Sequence, residues 1–214
     1  MHKKSVLENM LTGEHELNGR VIQVKKTWVI AQPIGGVLAF FKQAGKNELQ
    51  TLLSESVLLI DVGYLTVDFT VVSRFIASEA RSGAVDYGMS KLLSSVENEV
   101  GEYFKLDKVN AQTLDSALCE GKLSIFGKKY QFPKSDDYDF TPAISRVTNA
   151  AADSVYNVVG DAQDISRIVP IGGLAQIYLD SLKKRYPHHE ITVLDDHLRA
   201  VALGSQYGGL EKCA

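Results

Sequence analysis

The stretch Leu58-Leu59-Ile60-Asp61-Val62-Gly63-Tyr64-Leu65-Thr66-Val67-Asp68-Phe69-Thr70-Val71-Val72 constrains the fold more than any other part of this sequence. Two short apolar runs flank one polar turn, which reads as a hairpin of buried strands with Gly63 marking the bend. The chemistry open to such a turn is specific. Successive backbone N–H groups in a tight glycine-containing turn form a concave nest for anions. Hydroxyl and carboxylate side chains beside it suit phosphate and a hydrated Mg2+. Asp61, at the strand end, is placed to reach metal-bound water, and Thr66 to reach a phosphate oxygen. A hairpin that merely carries acids near its turn is the plain alternative.

The rest of the chain alternates strand and helix patterns around this hairpin. A short helix is expected through Val6, Leu7, Met10 and Leu11, broken by Gly13. Residues 20–24 and 27–31 read as strands, the second stopping at Gln32-Pro33. Gly35 and Gly36 then open a buried helix that permits close backbone packing. Residues 42–55 read as a polar linker and 81–88 as a loop. Met89, Leu92, Leu93, Val96, Val100 and Phe104 recur at helical spacing. A further helix is expected over 111–119 and a hairpin over 123–130, turning at Gly127-Lys128. Asp136, Asp137 and Asp139 form a solvated turn, because the ligand spacing of a calcium loop is absent.

Thr141-Pro142 starts another helix, with the hydroxyl as cap and proline at the first position. Ile144, Val147, Ala151, Val155 and Val158 form its apolar stripe. A strand over 165–171 ends in Gly172-Gly173, followed by a helix over 175–186, a strand over 190–194 and a last helix over 197–205. That order predicts an α/β sheet with helices on its faces.

Composition narrows the class. The 214 residues carry a net charge of −3, which leaves no electrostatic footprint for nucleic acid or a membrane surface. Cys119 and Cys213 stand far apart in no metal-ligand spacing and read as reduced thiols. No apolar run is long enough to span a bilayer, and Met1-His2-Lys3-Lys4 leads into no signal segment, so a cytoplasmic protein is expected.

A second motif, Pro170-Ile171-Gly172-Gly173-Leu174-Ala175, follows the first across a helical insert. A strand that ends in Gly-Gly and opens a helix lets the backbone approach a flat ligand, and the helix N-terminus favours negative charge. Alone, it is equally a tight turn. Together, the two motifs resemble the actin, heat-shock-70 and sugar-kinase superfamily, most closely the plasmid-segregation (ParM/StbA type) and archaeal actin-like ATPases. Asp61-Val-Gly63-Tyr64-Leu65-Thr66-Val-Asp68 is similar to the family's second phosphate motif. Ile171-Gly172-Gly173-Leu174-Ala175 resembles its adenosine motif, Gly83 to Met89 the loop opening the helix beside the nucleotide, and Ala200-Val-Ala202-Leu-Gly204 the second connecting helix.

The resemblance implies an actin-like ATPase (ribonuclease H-like) fold, a mixed sheet flanked by helices, that binds ATP (or GTP) with Mg2+. It implies phosphate binding by Asp61, Gly63, Tyr64, Leu65, Thr66 and Asp68, and adenosine binding by Gly172, Gly173 and Leu174. Asp61 would hold Mg2+ through water, and Gln32 would orient the attacking water, since phosphoryl transfer is mostly alignment and charge stabilisation. A strand-end glutamine facing solvent is the alternative for Gln32. The family's first phosphate hairpin has no counterpart in residues 1–30, so the chain is expected to lack the N-terminal half of domain I. Residues 1–55 would then be the remnant of domain I, 56–198 domain II with a helical insert, and 199–214 the connecting helix. ATP hydrolysis coupled to filament assembly in plasmid segregation, with self-association and a partition adaptor as partners, is the implied function. A truncated or degenerate actin-like interaction module without hydrolysis is the second.

Overall fold

The hairpin is the centre of a five-stranded mixed sheet in the computed structural model, which describes residues 2–45 and 54–213. In chain order the elements are α1 (His2–Leu11), β1 (Gly13–Leu17), β2 (Arg20–Val24), α2 (Gln32–Ala44), β3 (Ser56–Val62), β4 (Val67–Ser73) and β5 (Ile76–Val85). They continue as α3 (Met89–Phe104), α4 (Ala111–Glu120), β6 (Lys122–Ile125), β7 (Lys128–Gln131), α5 (Thr141–Val159), β8 (Ile165–Ile171), α6 (Ala175–Arg185), β9 (Glu190–Ile191) and α7 (Ala200–Cys213).

The sheet runs β5-β4-β3-β8-β9. β3 pairs antiparallel with β4, setting Asp61 opposite Asp68, and parallel with β8, setting Asp61 beside Ile171. Parallel pairing brings the two carboxyl ends together, so the turn after β3 and the glycines after β8 share one edge of the sheet. In open α/β sheets that edge is where ligands bind.

Alternation along β3 divides the core. Leu58, Ile60 and Val62 face α5 and α6, packing with Val147, Ala151, Val155, Tyr178 and Leu182. Val57 and Leu59 face α2, packing with Ile34, Val37, Phe40 and Phe41. Asp61 shares the parity of Val57 and Leu59, which puts its carboxylate on the α2 side. There α2 and α7 cross in close contact: a Cβ on Gly204 would lie 1.8 Å from the Gly35 carbonyl oxygen. A third core, built on Leu93, Val96, Val100, Leu114, Leu123 and Phe140, forms the lobe of α3, α4, β6 and β7.

Several elements differ from the expectation. Residues 27–31 form no strand, and none of them pairs in a sheet among the described residues. Residues 81–85 belong to β5, whose Gly83 lies opposite Phe69 where any Cβ would meet the ring at 2.8 Å. The expected linker is helical through Ala44, and residues 46–53 lie outside the described residues. Thr141 is helical and does not cap α5; its N–H donates to Asp139 Oδ1 at 2.9 Å. The helical period buries Val159 and leaves Val158 exposed. β9 ends at Ile191, one residue before Thr192 gives the last bond to Ile168, and the last helix begins at Ala200.

Candidate functional site

Pro33 lies in the first turn of α2, where its missing N–H removes no helical bond, and Ala31 before the helix is extended. Gln32 therefore stands at the head of α2, directly above the end of β3. Its Nε2 donates to Asp61 Oδ2 at 2.9 Å. The two residues expected to carry chemistry, one in each of two separated segments, are thus hydrogen-bonded. Burial raises the Asp61 carboxyl above its ordinary value, and nearby Asp68 adds to the rise, while the Gln32 hydrogen bond acts in the opposite sense.

The turn after β3 is closed by the Gly63 N–H donating to the Thr66 carbonyl at 2.9 Å. The carbonyls of Gly63, Tyr64 and Leu65 accept from the N–H groups of Met89, Ser90 and Gly88 at 3.1, 2.8 and 3.2 Å. The N–H groups of Tyr64, Leu65 and Thr66 donate to no backbone carbonyl among the described residues. Tyr64 and Leu65 are exposed and Thr66 is half-buried. The Thr66 hydroxyl donates to Asp68 Oδ2 at 2.8 Å.

Gly172 joins the second motif to the first. Its φ is +93, and a Cβ there would lie 2.3 Å from the Val62 carbonyl oxygen and 2.9 Å from Asp61 Oδ1. Only glycine fits. His197 braces it from the other side: the Gly172 N–H donates to the His197 carbonyl at 2.9 Å, and His197 Nδ1–H donates to the Gly172 carbonyl at 2.7 Å. Gly173 lies under Leu198, and the Leu174 side chain turns into the α5–α6 core, leaving only its backbone near the edge.

Gln32, Asp61, the 63–66 turn, Asp68 and Gly172 therefore converge, whereas the side chain of Leu174 does not join them. Sequence reasoning missed the bracing by His197, and although it set Gly83 to Met89 beside the nucleotide it did not foresee that Gly88, Met89 and Ser90 clamp the 63–66 turn. The signal for the clamp was Gly88, a glycine immediately before a strongly periodic helix. Among the described residues no group of three or more His, Cys, Asp or Glu side chains is arranged to hold a metal. Mg2+ binds through one or two carboxylates together with phosphate oxygens and water, and Asp61 with its neighbour Asp68 meets that requirement.

This sheet order, with paired glycine turns at its carboxyl edge and two helices crossing on one face, defines an actin-like ATPase fold. The pCBH ParM non-polymerisable quadruple mutant superposes with a TM-score of 0.71 at 21% identity, covering 98% of this chain and 64% of that one. The archaeal actin homologue Ta0583 in complex with ADP gives 0.73 at 16% identity, covering 90% and 60%. A 15-stranded ParM filament from Clostridium botulinum gives 0.72 at 20%, covering 98% and 63%. The chain thus spans less than two thirds of the length of these solved structures. No curated protein matches its sequence. The family model described as archaeal actin homologue MreB-like, C-terminal, matches residues 59–184, more than half of the chain. The chain belongs to that family of actin homologues. No helix among the described residues is long and apolar enough to cross a membrane.

Proposed function

We propose that this chain is an actin-like nucleotide-binding protein that binds ATP (or GTP) with Mg2+ and couples hydrolysis to assembly into filaments, in plasmid segregation. The observation that carries the proposal is the Gln32–Asp61 hydrogen bond, made beside both glycine turns. With its Nε2 committed to Asp61, Gln32 has Oε1 to accept a hydrogen bond from one water and so fix where that water's lone pair points. Asp61 anchors the glutamine and offers its carboxylate to metal-bound water. The N–H groups of Tyr64, Leu65 and Thr66 hold phosphate oxygens. Gly172 and Gly173 bring bare backbone against the nucleoside. Bound Mg2+ supplies neutralisation of the phosphate charge.

Self-association is supported by the filament named among the similar structures, and a partition adaptor is the second partner proposed. Phosphate release and light scattering after addition of Mg-ATP test the proposal. Gln32→Ala is expected to slow release about a hundredfold while leaving nucleotide affinity nearly unchanged, the pattern of a water-orienting group. Asp61→Ala is expected to abolish release. Unaltered turnover in Gln32→Ala would remove that residue from the mechanism. A second reading, an actin-like interaction module without hydrolysis, is favoured by the exposed side chains of Val6, Leu7, Met10 and Leu11 on α1 and by the engagement of Thr66 with Asp68. It predicts binding of partner subunits with no phosphate release.

A further inference from the structure

The carbonyls of Gly63, Tyr64 and Leu65 all face one helix end. In an extended strand successive carbonyls point to alternate sides, but here three in a row accept from Gly88 and the first two residues of α3. In a trans peptide the N–H points opposite to the C=O of the same plane. The N–H groups of Tyr64, Leu65 and Thr66 therefore stand together on the side away from α3, and they donate to no backbone carbonyl among the described residues.

Each of these planes is a relay: an N–H of Gly88, Met89 or Ser90 donates to the carbonyl, and the free N–H lies at the far end. A donor on the carbonyl polarises the peptide and strengthens its N–H as a donor. The positive end of the α3 dipole lies behind all three. The helix end is no anion site of its own, since its leading N–H groups are already engaged by the turn.

Gly88 makes this approach possible. A Cβ on it would lie 2.6 Å from the Leu65 carbonyl carbon, 2.7 Å from the Gly63 oxygen and 2.8 Å from the Leu65 oxygen, all backbone atoms that cannot rotate away. Its own conformation, φ −72 and ψ −171, is open to any residue. Contact, not backbone freedom, requires glycine there. The approach is also held from behind, because the buried Tyr178 hydroxyl donates to the Tyr87 carbonyl one residue earlier.

We propose that Gly88 and the first turn of α3 are the positioning device of the phosphate turn, clamping its carbonyl side so that three polarised N–H groups present as one donor surface. The proposal rests on the nucleotide-binding function above. Because α3 continues into the third core through Leu93, Val96 and Val100, the clamp also joins the turn to the α3–α4–β6–β7 lobe.

Two variants test it with Mg-ATP as the probe and amide NMR as the readout. In the wild-type chain, Mg-ATP is expected to shift the Tyr64, Leu65 and Thr66 amides, and the Met89 and Ser90 amides are expected to exchange slowly even without nucleotide. Gly88→Ala is expected to lose the Met89 and Ser90 protection, keep protection along the rest of α3, and bind Mg-ATP about tenfold more weakly. Met89→Pro removes one clamp donor at a helix position that favours proline, after an extended Gly88, and is expected to weaken binding to a similar degree with α3 intact. If Gly88→Ala does not fold, Met89→Pro decides alone. Wild-type binding with the folded variants within about twofold of it would overturn the clamp and leave the proposed function standing. A wild-type chain that binds no Mg-ATP would overturn both.

Discussion

Two adjacent glycines give the sharpest test of the site, because the structure assigns them opposite consequences. At Gly172, alanine must adopt φ +93 and place its Cβ 2.3 Å from the Val62 carbonyl oxygen. The backbone strain costs about 1–3 kcal/mol. Forcing apart two backbone segments that cannot rotate away adds about 1–3 kcal/mol. Gly172→Ala is therefore expected to lose roughly 2–6 kcal/mol, lowering the melting temperature by roughly 5–20 °C in a chain of this size. At Gly173 the nearest atom to an added Cβ is Leu198 Cδ1 at 3.6 Å, an ordinary contact, and φ lies outside the left-handed range. There alanine only narrows the unfolded ensemble, and a gain of up to about 1 kcal/mol is expected. Urea unfolding followed by far-UV circular dichroism reads both. A loss below about 1 kcal/mol for Gly172→Ala, or a larger loss for Gly173→Ala, would refute the close approach of the two motifs on which the site depends.

Asp61 supplies a prediction with a definite pH dependence. Its carboxyl is raised above the ordinary 3.8, first by burial, so ionised Asp61 destabilises the folded chain. That penalty is fully present above the folded pKa, fades as pH falls through it, and is gone below 3.8. Asp61→Asn is expected to be more stable than wild type at pH 7 and equal to it below the ordinary carboxylate range, while hydrolysis is lost. A less stable Asp61→Asn at pH 7 in urea titrations would count against burial as the cause. Gly204→Ala sets a Cβ 1.8 Å from the Gly35 oxygen and 2.6 Å from the Ala39 nitrogen, so α2 must leave α7. A loss of about 3 kcal/mol is expected. Gly209→Ala, with nothing within 4 Å, is its control and should be neutral to slightly stabilising in the same titration.

Much of the fold is legible in residues close together in sequence. The hairpin of β3 and β4 follows from apolar runs around one glycine turn, and α3 from the spacing of Met89 through Phe104. The misreadings are those in which a distant partner decides. Residues 81–85 look like a loop because Ser82-Gly83 breaks the pattern, yet the edge of β4 recruits them as a strand. Residues 27–31 look like a strand, yet no neighbouring strand pairs with them among the described residues. Val158 and Val159 differ only in which side of a long helix faces the sheet.

Sequence by itself determined which residues can do chemistry here: a carboxylate at a strand end, glycines where backbone must bend or come close, and a glutamine before a proline that starts a helix. Those properties belong to single side chains and short peptides, whose sterics act within a few residues. Tertiary structure alone decided that these groups meet. The parallel register of β3 on β8 brings Gly172 against Asp61, the crossing of α2 with α7 sets the head of α2 above β3, and the first turn of α3 turns three carbonyls away from solvent. Each is a contact between segments far apart in the chain, fixed by burial of whole faces rather than by any local preference.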